Sequence, residues 1–276
     1  MLRERGHRSD PRRVARPLFC VLNLVVGAIA CAPALVSCRS DPAPVPQHTT
    51  TDATVPSSED VQPCAPPRVL VVGPEETPAD TTLVMLHGYG ADAADLTPVA
   101  RALAHARART VVLVPDGCDP SESGPKGRQW WSMRDASDRG SRVKAAAVRV
   151  SRFVDAELRS RGMPRDRIVW AGFSQGAMLA QWMAVHATPS PLAVVSFSGR
   201  FDDDSPIGPA VATPILLVHG ARDAVVPFAE SERAQRSPVA RGAKVERVDR
   251  PMMAHAIDDE SLAAAVAFLA RNLGAR

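Results

Sequence analysis

From residue 68 onward, short apolar runs alternate with longer stretches of helical periodicity. The runs 69–72, 82–86, 110–114, 167–171, 193–197, 215–219 and 244–248 are short and rich in branched aliphatics. Each is bounded by glycine, proline or polar residues, which predicts buried strands. Between them, 92–106, 141–161, 175–187, 228–240 and 259–272 carry apolar residues at helical spacing. Strand–helix alternation on this scale predicts an α/β fold, a mostly parallel central sheet with helices on both faces. Right-handed crossovers then bring the C-terminal strand ends to one edge, where open α/β sheets carry their sites. The search for chemistry therefore narrows to residues just past strand ends.

The preceding segment follows neither pattern. Residues 1–17 are polar and arginine-rich, and 18–36 form an apolar run ending in small residues, the layout of an export signal. Leu35-Val36-Ser37-Cys38 resembles the lipobox of bacterial lipoproteins, which implies cleavage before Cys38 and lipidation of that cysteine. Ala28-Ile29-Ala30-Cys31 is a weaker second candidate, and an uncleaved anchor would leave the domain in the same compartment. Residues 38–67 are rich in Pro, Thr, Ser and Ala and hold too little apolar surface to offset the entropy of ordering. The expected organisation is thus a signal peptide (1–37), a disordered linker (38–67) and one folded domain (68–276), exported and lipid-anchored to a membrane.

Composition adds two constraints. The formal charge of +3 at pH 7 is concentrated in the leader, where six arginines face only Glu4 and Asp10. The domain itself is close to neutral and has no basic stripe with interleaved aromatics, which argues against nucleic-acid binding. Of five cysteines, only Cys64 and Cys118 lie beyond the leader and lipobox. In an oxidising compartment these two can pair, although Cys64 sits in the linker.

Candidate chemistry centres on Gly172-Phe173-Ser174-Gln175-Gly176, a G-x-S-x-G flanked by a strand and an alanine-rich helix. That context is a nucleophile elbow, in which a tight turn lifts the serine hydroxyl above the sheet. The N–H of Gln175 then opens a helix N-terminus suited to an oxyanion. A serine hydroxyl needs a base, and the base an orienting carboxylate. Asp223 follows the strand 215–219 and His255 follows 244–248, in the order serine, acid, histidine. Asp202, Asp203 and Asp204 are rivals for the acid but read as a solvated loop. His219 reads as packing or bonding locally, His186 as a capping or surface residue, and His87 as a brace for its loop. The second oxyanion donor falls to the N–H of Tyr89 in His87-Gly88-Tyr89-Gly90, just past the strand 82–86. Trp130 and Trp131 either line a substrate pocket or cover the core.

With these residues placed, the chain resembles the carboxylesterase/phospholipase family that includes acyl-protein thioesterases. The resemblance spans 68–276 and rests on LHGYGAD (86–92), WWSM (130–133), GFSQGAM (172–178), SFSGR (196–200), HGARDAVVPF (219–228) and MMAHAIDDE (252–260). It implies an α/β-hydrolase fold, a triad of Ser174, Asp223 and His255, oxyanion donors at Tyr89 and Gln175, and no cofactor. It also implies a small ester, thioester or lysophospholipid substrate. Two departures stand out: Ala177 and Ala254 replace glycines usual in the family and are expected to tighten the site. Competing expectations are a secreted feruloyl, acetyl-sugar or polyester esterase, and a non-catalytic lipoprotein that keeps the fold as a binding scaffold.

Overall fold

The computed structural model describes residues 66, 68–73, 79–134, 137–203, 211–240 and 242–274. Cys38, Cys64, the leader and nearly all of the linker lie outside the described residues. Seven strands form one sheet in the order β1 (Val69–Val72), β3 (Thr110–Pro115), β2 (Thr81–Leu86), β6 (Ile168–Phe173), β7 (Ala193–Phe197), β8 (Ile215–Gly220) and β9 (Val245–Arg250). All neighbouring pairs are parallel except β1 with β3. An antiparallel edge strand on an otherwise parallel sheet is common in this architecture. Between β3 and β6, a two-residue ladder joins β4 (Asp119–Pro120) to β5 (Arg128–Gln129). Two-residue strands leave too little periodicity to be read from sequence.

Strand alternation divides the core in two. Val84, Leu86, Ile168, Trp170, Val194, Ile215 and Leu217 point to one face, with Val143, Val150 and Val154 of α2 (Arg139–Ser160) and Leu179 and Met183 of α3 (Gln175–His186). Their neighbours in sequence point to the other face. Leu83, Met85, Val169, Ala171, Val195, Leu216 and Val218 there meet Ala100 and Leu103 of α1 (Thr97–Ala104) and Ala265, Phe268 and Leu269 of α5 (Asp259–Leu273). This is the two-residue period of strands buried on both faces. The segment expected to be helical over 92–106 begins with a 3-10 turn, Ala93–Leu96, capped by Asp92, before α1 proper. Helix α4 (Ala229–Ala240) connects β8 to β9.

Helix α3 is buried along nearly all of Gln175–Ala184, so it lies against the sheet centre rather than on a solvent face. Its start fits so closely that only glycine is tolerated at two points. A Cβ on Gly176 would overlap the backbone of Leu86, and one on Gly172 would overlap the backbone of Gly176. Gly176→Ala must therefore push α3 away from β2. We predict a stability loss of about 3 kcal/mol, at the upper end of ordinary overpacking. The control Gly124→Ala, where a new Cβ meets nothing within 4 Å, should leave the urea midpoint nearly unchanged. Equal midpoints for the two variants would contradict the close fit.

Candidate active site

Ser174 stands where β6 turns into α3, with φ 53° and ψ −115°. For a side chain other than glycine this is a sparsely populated conformation, held only where surrounding structure enforces it. The enforcement is visible. The Ser174 N–H donates to Phe197 O of β7 at 2.9 Å, and the two tight glycines clamp the turn on either side. The serine is largely buried.

Asp223 and His255 come together from the ends of β8 and β9. His255 Nδ1 donates to Asp223 Oδ2 at 2.7 Å. The other carboxylate oxygen accepts the N–H groups of Val225 (2.9 Å) and Val226 (2.8 Å). Backbone bonds zip the two loops: Ala221 N–H to Arg250 O at 2.9 Å and Arg222 N–H to Met253 O at 3.0 Å. Beyond His255, Arg250 is salt-bridged to Asp258, whose carboxylate also caps α5 at the Ser261 N–H. The imidazole packs on Phe173, the residue before Ser174, with ring centroids 4.8 Å apart. His219 does bond locally, donating to Val226 O at 2.8 Å, and its Nε2 also lies 3.4 Å from Asp223 Oδ2. Burial by itself would push the Asp223 carboxyl up. Hydrogen bonds from the His219 and His255 rings and the Val226 N–H outweigh it and hold the group well below its usual range.

The loop after β2 also approaches the serine. A Cβ on Gly88 would come within 3.3 Å of Ser174 Cβ and 3.1 Å of the Phe173 ring, so this glycine lets the loop backbone lie against Ser174. The N–H of Tyr89 has no protein acceptor among the described residues. The N–H of Gln175, first in its helix, has none within that helix. The Gln175 side chain, whose part sequence reasoning missed, fixes the tryptophan loop twice over. It accepts from the Trp130 N–H at 3.0 Å and donates to Trp131 O at 2.9 Å. A glutamine directly after the nucleophile, with both a donor and an acceptor to satisfy in a buried setting, was the available signal.

Trp130 and Trp131 both belong to the buried core; Trp130 is 1 % exposed and donates its indole N–H to His87 O at 2.9 Å. A residue so enclosed cannot touch a substrate without rearrangement. Asp202 and Asp203 are also not solvated, and Asp204 lies outside the described residues. The Asp203 side chain is 2 % exposed and holds His186 Nε2 at 2.8 Å, while Asp202 accepts from Arg200 at 2.7 Å. His186 in turn stacks on Trp182, so neither group is available to the serine. Ala177 is fully buried, and its Cβ occupies space directly beside Gly199. Ala254 is exposed, so its methyl group faces solvent rather than tightening the site. Cys118 is disulfide-bonded, and its partner cysteine lies outside the described residues. Among the described residues no cluster of His, Cys, Asp or Glu is arranged to hold a metal ion.

A serine on a strand–turn–helix elbow, with an aspartate–histidine pair from later strand ends, defines a serine hydrolase of the α/β-hydrolase fold. The chain belongs to the phospholipase/carboxylesterase family, whose profile matches residues 68–273. It is 29 % identical over 195 residues to the esterase YpfH of Escherichia coli, covering 70 % of this chain and 83 % of that protein. It is 27 % identical over 139 residues to acyl-protein thioesterase 1 of Schizosaccharomyces pombe, covering 48 % of this chain and 61 % of that protein. Among solved structures, esterase PE8 superposes with a TM-score of 0.65 at 25 % identity, covering 74 % of this chain and 97 % of that one. The protein is therefore an enzyme that hydrolyses esters.

The depressed Asp223 pKa has a signed consequence for stability. The native state holds this carboxylate ionised more strongly than the unfolded chain, so the unfolded chain gains more protons as pH falls. The contribution is complete well above the unfolded-chain value of ~3.9 and is lost as pH drops through and below it toward the lower native value. The stability gap between wild type and Asp223→Asn, measured by denaturant unfolding, should be widest near pH 7 and narrow toward pH 3. A gap independent of pH would show that the carboxylate is not held in this way.

Proposed function

We propose that Ser174, His255 and Asp223 hydrolyse carboxylic esters through an acyl-enzyme. The observation that carries this reading is the 2.7 Å bond between His255 Nδ1 and Asp223 Oδ2, made with the imidazole packed on Phe173, the residue before the elbow serine. With Nδ1 donating to the carboxylate, Nε2 is left as the base. Ser174 Oγ attacks the acyl carbon as Nε2 takes its proton, and Asp223 stabilises the imidazolium. The N–H groups of Tyr89 and Gln175 receive the developing oxyanion, each worth about 3 kcal/mol of barrier. The tetrahedral adduct collapses, the C–O or C–S bond to the leaving group breaks, and His255 returns the proton to it. Water, deprotonated by the same base, then attacks the acyl-serine and releases the acid and the free hydroxyl.

The substrate reading is an apolar acyl group on a small ester, thioester or lysophospholipid. Met133, Val225 and Met252 support it. These large apolar side chains are exposed on the three loops that carry Trp131, Asp223 and His255. A sugar ester would find few polar partners among them. We also retain the proposal that Cys38 carries a lipid and tethers the domain to a membrane outside the cytoplasm. The disulfide at Cys118 supports export, because such bonds persist in oxidising compartments.

The test is a panel of p-nitrophenyl esters from acetate to palmitate, with Ser174→Ala alongside. The expected result is turnover that peaks beyond the shortest chains and falls on the order of 10⁴-fold or more in the variant. A maximum at acetate would transfer the assignment to short esters such as acetyl-sugars. Absence of turnover from folded wild-type protein would overturn the catalytic reading in favour of a binding scaffold.

A further inference from the structure

The imidazole of His87 is 0 % exposed and takes no part in the chemistry described above. Both of its nitrogens are nevertheless committed. The backbone N–H of Gly117 points at Nε2 from 2.7 Å, and Nδ1 lies 2.7 Å from the carbonyl oxygen of Gly88. A backbone N–H can only donate and a carbonyl can only accept. Nε2 is therefore the acceptor, and the single ring proton sits on Nδ1. Burial favours the neutral ring, in agreement with this assignment.

What Nδ1 holds matters. The Gly88 carbonyl and the Tyr89 N–H belong to one planar peptide group, and in a trans peptide they point in opposite directions. Whatever fixes the carbonyl fixes the direction of the N–H. The carbonyl is held by the imidazole and, more weakly, by the Ala91 N–H at 3.2 Å. The loop is pinned on its outer side by Gly90 N–H to Arg128 O at 2.9 Å and Arg128 N–H to Ala91 O at 2.8 Å. Without the imidazole bond, the Gly88 carbonyl keeps only the longer bond from the Ala91 N–H, and the residue on its N-terminal side is a glycine, whose ψ no side chain restrains.

We propose that His87 is a positioning residue for the oxyanion hole. Locked as its Nδ1–H tautomer by the Gly117 N–H, it clamps the Gly88 carbonyl and so aims the Tyr89 N–H at the substrate oxygen. The proposal rests on the acyl-enzyme reading above and assigns His87 an action exerted through another group, not on the substrate. Catalysis by such a donor depends on its orientation before the charge develops, because a donor that must first reorient loses much of its effect.

Two substitutions separate this role from simple packing. In His87→Asn the side-chain amide can stand near the Nδ1 position and still donate to Gly88 O. In His87→Gln the longer amide reaches toward the Nε2 position, can accept from Gly117, and leaves the Gly88 carbonyl without its donor. Each loses one buried hydrogen bond, so a purely structural role would damage both alike. The expected result is that His87→Gln lowers kcat on p-nitrophenyl butyrate by about ten- to a hundredfold with KM within about threefold, in the range for a compromised oxyanion donor. Its inhibition constant for butylboronic acid, which forms a tetrahedral adduct on an activated serine, should weaken in parallel. His87→Asn should stay within about fivefold of wild type on both measures, because the orienting donor is kept. Equal losses in the two variants, or a loss confined to KM, would overturn the proposal.

The wild-type protein provides a readout that does not depend on either variant folding. Its imidazole ¹⁵N spectrum should show His87 protonated at Nδ1, and an Nε2–H tautomer would overturn the assignment. If wild type itself were insensitive to the boronic acid and Ser174→Ala retained activity, the acyl-enzyme reading would fail first. A boronate-sensitive wild type with indistinguishable Asn and Gln variants would sink only the role of His87.

Discussion

Three chain segments meet without clearance at the start of α3. Gly176 lies against the backbone of Leu86 and Gly172 against that of Gly176, so the elbow, the first turn of the helix and the end of β2 share one volume. The geometry of the site follows from this crossing. It forces Ser174 into its strained conformation, because no relaxed turn fits between two backbones already in contact. It also sets the N-terminus of α3 beside the loop that begins at His87, so segments far apart in sequence meet at the serine. Parallel strands buried on both faces make the crossing rigid enough to keep that strain.

The Asp223–His255 pair rests on a separate arrangement, at the ends of β8 and β9. The loops after β8 and β9 are joined by backbone hydrogen bonds before either side chain is considered. Asp223 has both oxygens committed, one to the Val225 and Val226 N–H groups and one to His255. Its carboxylate is fixed in place and kept ionised, so the imidazole has a single tautomer and little freedom to turn. Gln175 and Trp130 tie the tryptophan loop to the helix start and to His87. Backbone N–H groups thus hold the Asp223 carboxylate, and the Gln175 side chain holds the tryptophan loop.

Much of this was legible in the sequence because it is local. Strand ends followed by Gly172–Gly176, by Asp223 and by His255 can be read in order, and β6, β8 and β9 indeed end beside those residues. What could not be read depends on contacts between distant segments. Trp130 and Trp131 suit a pocket or a core equally well until the fold places them, and the fold buries them. Asp203 resembles part of a solvated run because nothing near it in sequence reveals His186, at the end of α3, as its partner. The β4–β5 ladder that supports the loop after β2 is too short to leave a period, and the antiparallel edge strand β1 has the same apolar pattern as a parallel one.

The central claim is that Ser174 alone is activated by the Asp223–His255 pair. The most direct measurement is labelling with a fluorophosphonate followed by peptide mass spectrometry, in wild type and in His255→Ala. The account predicts one adduct on the peptide bearing Ser174, formed within minutes by wild type and almost absent from the variant. An adduct on another serine, or labelling of Ser174 at the same rate without His255, would contradict it.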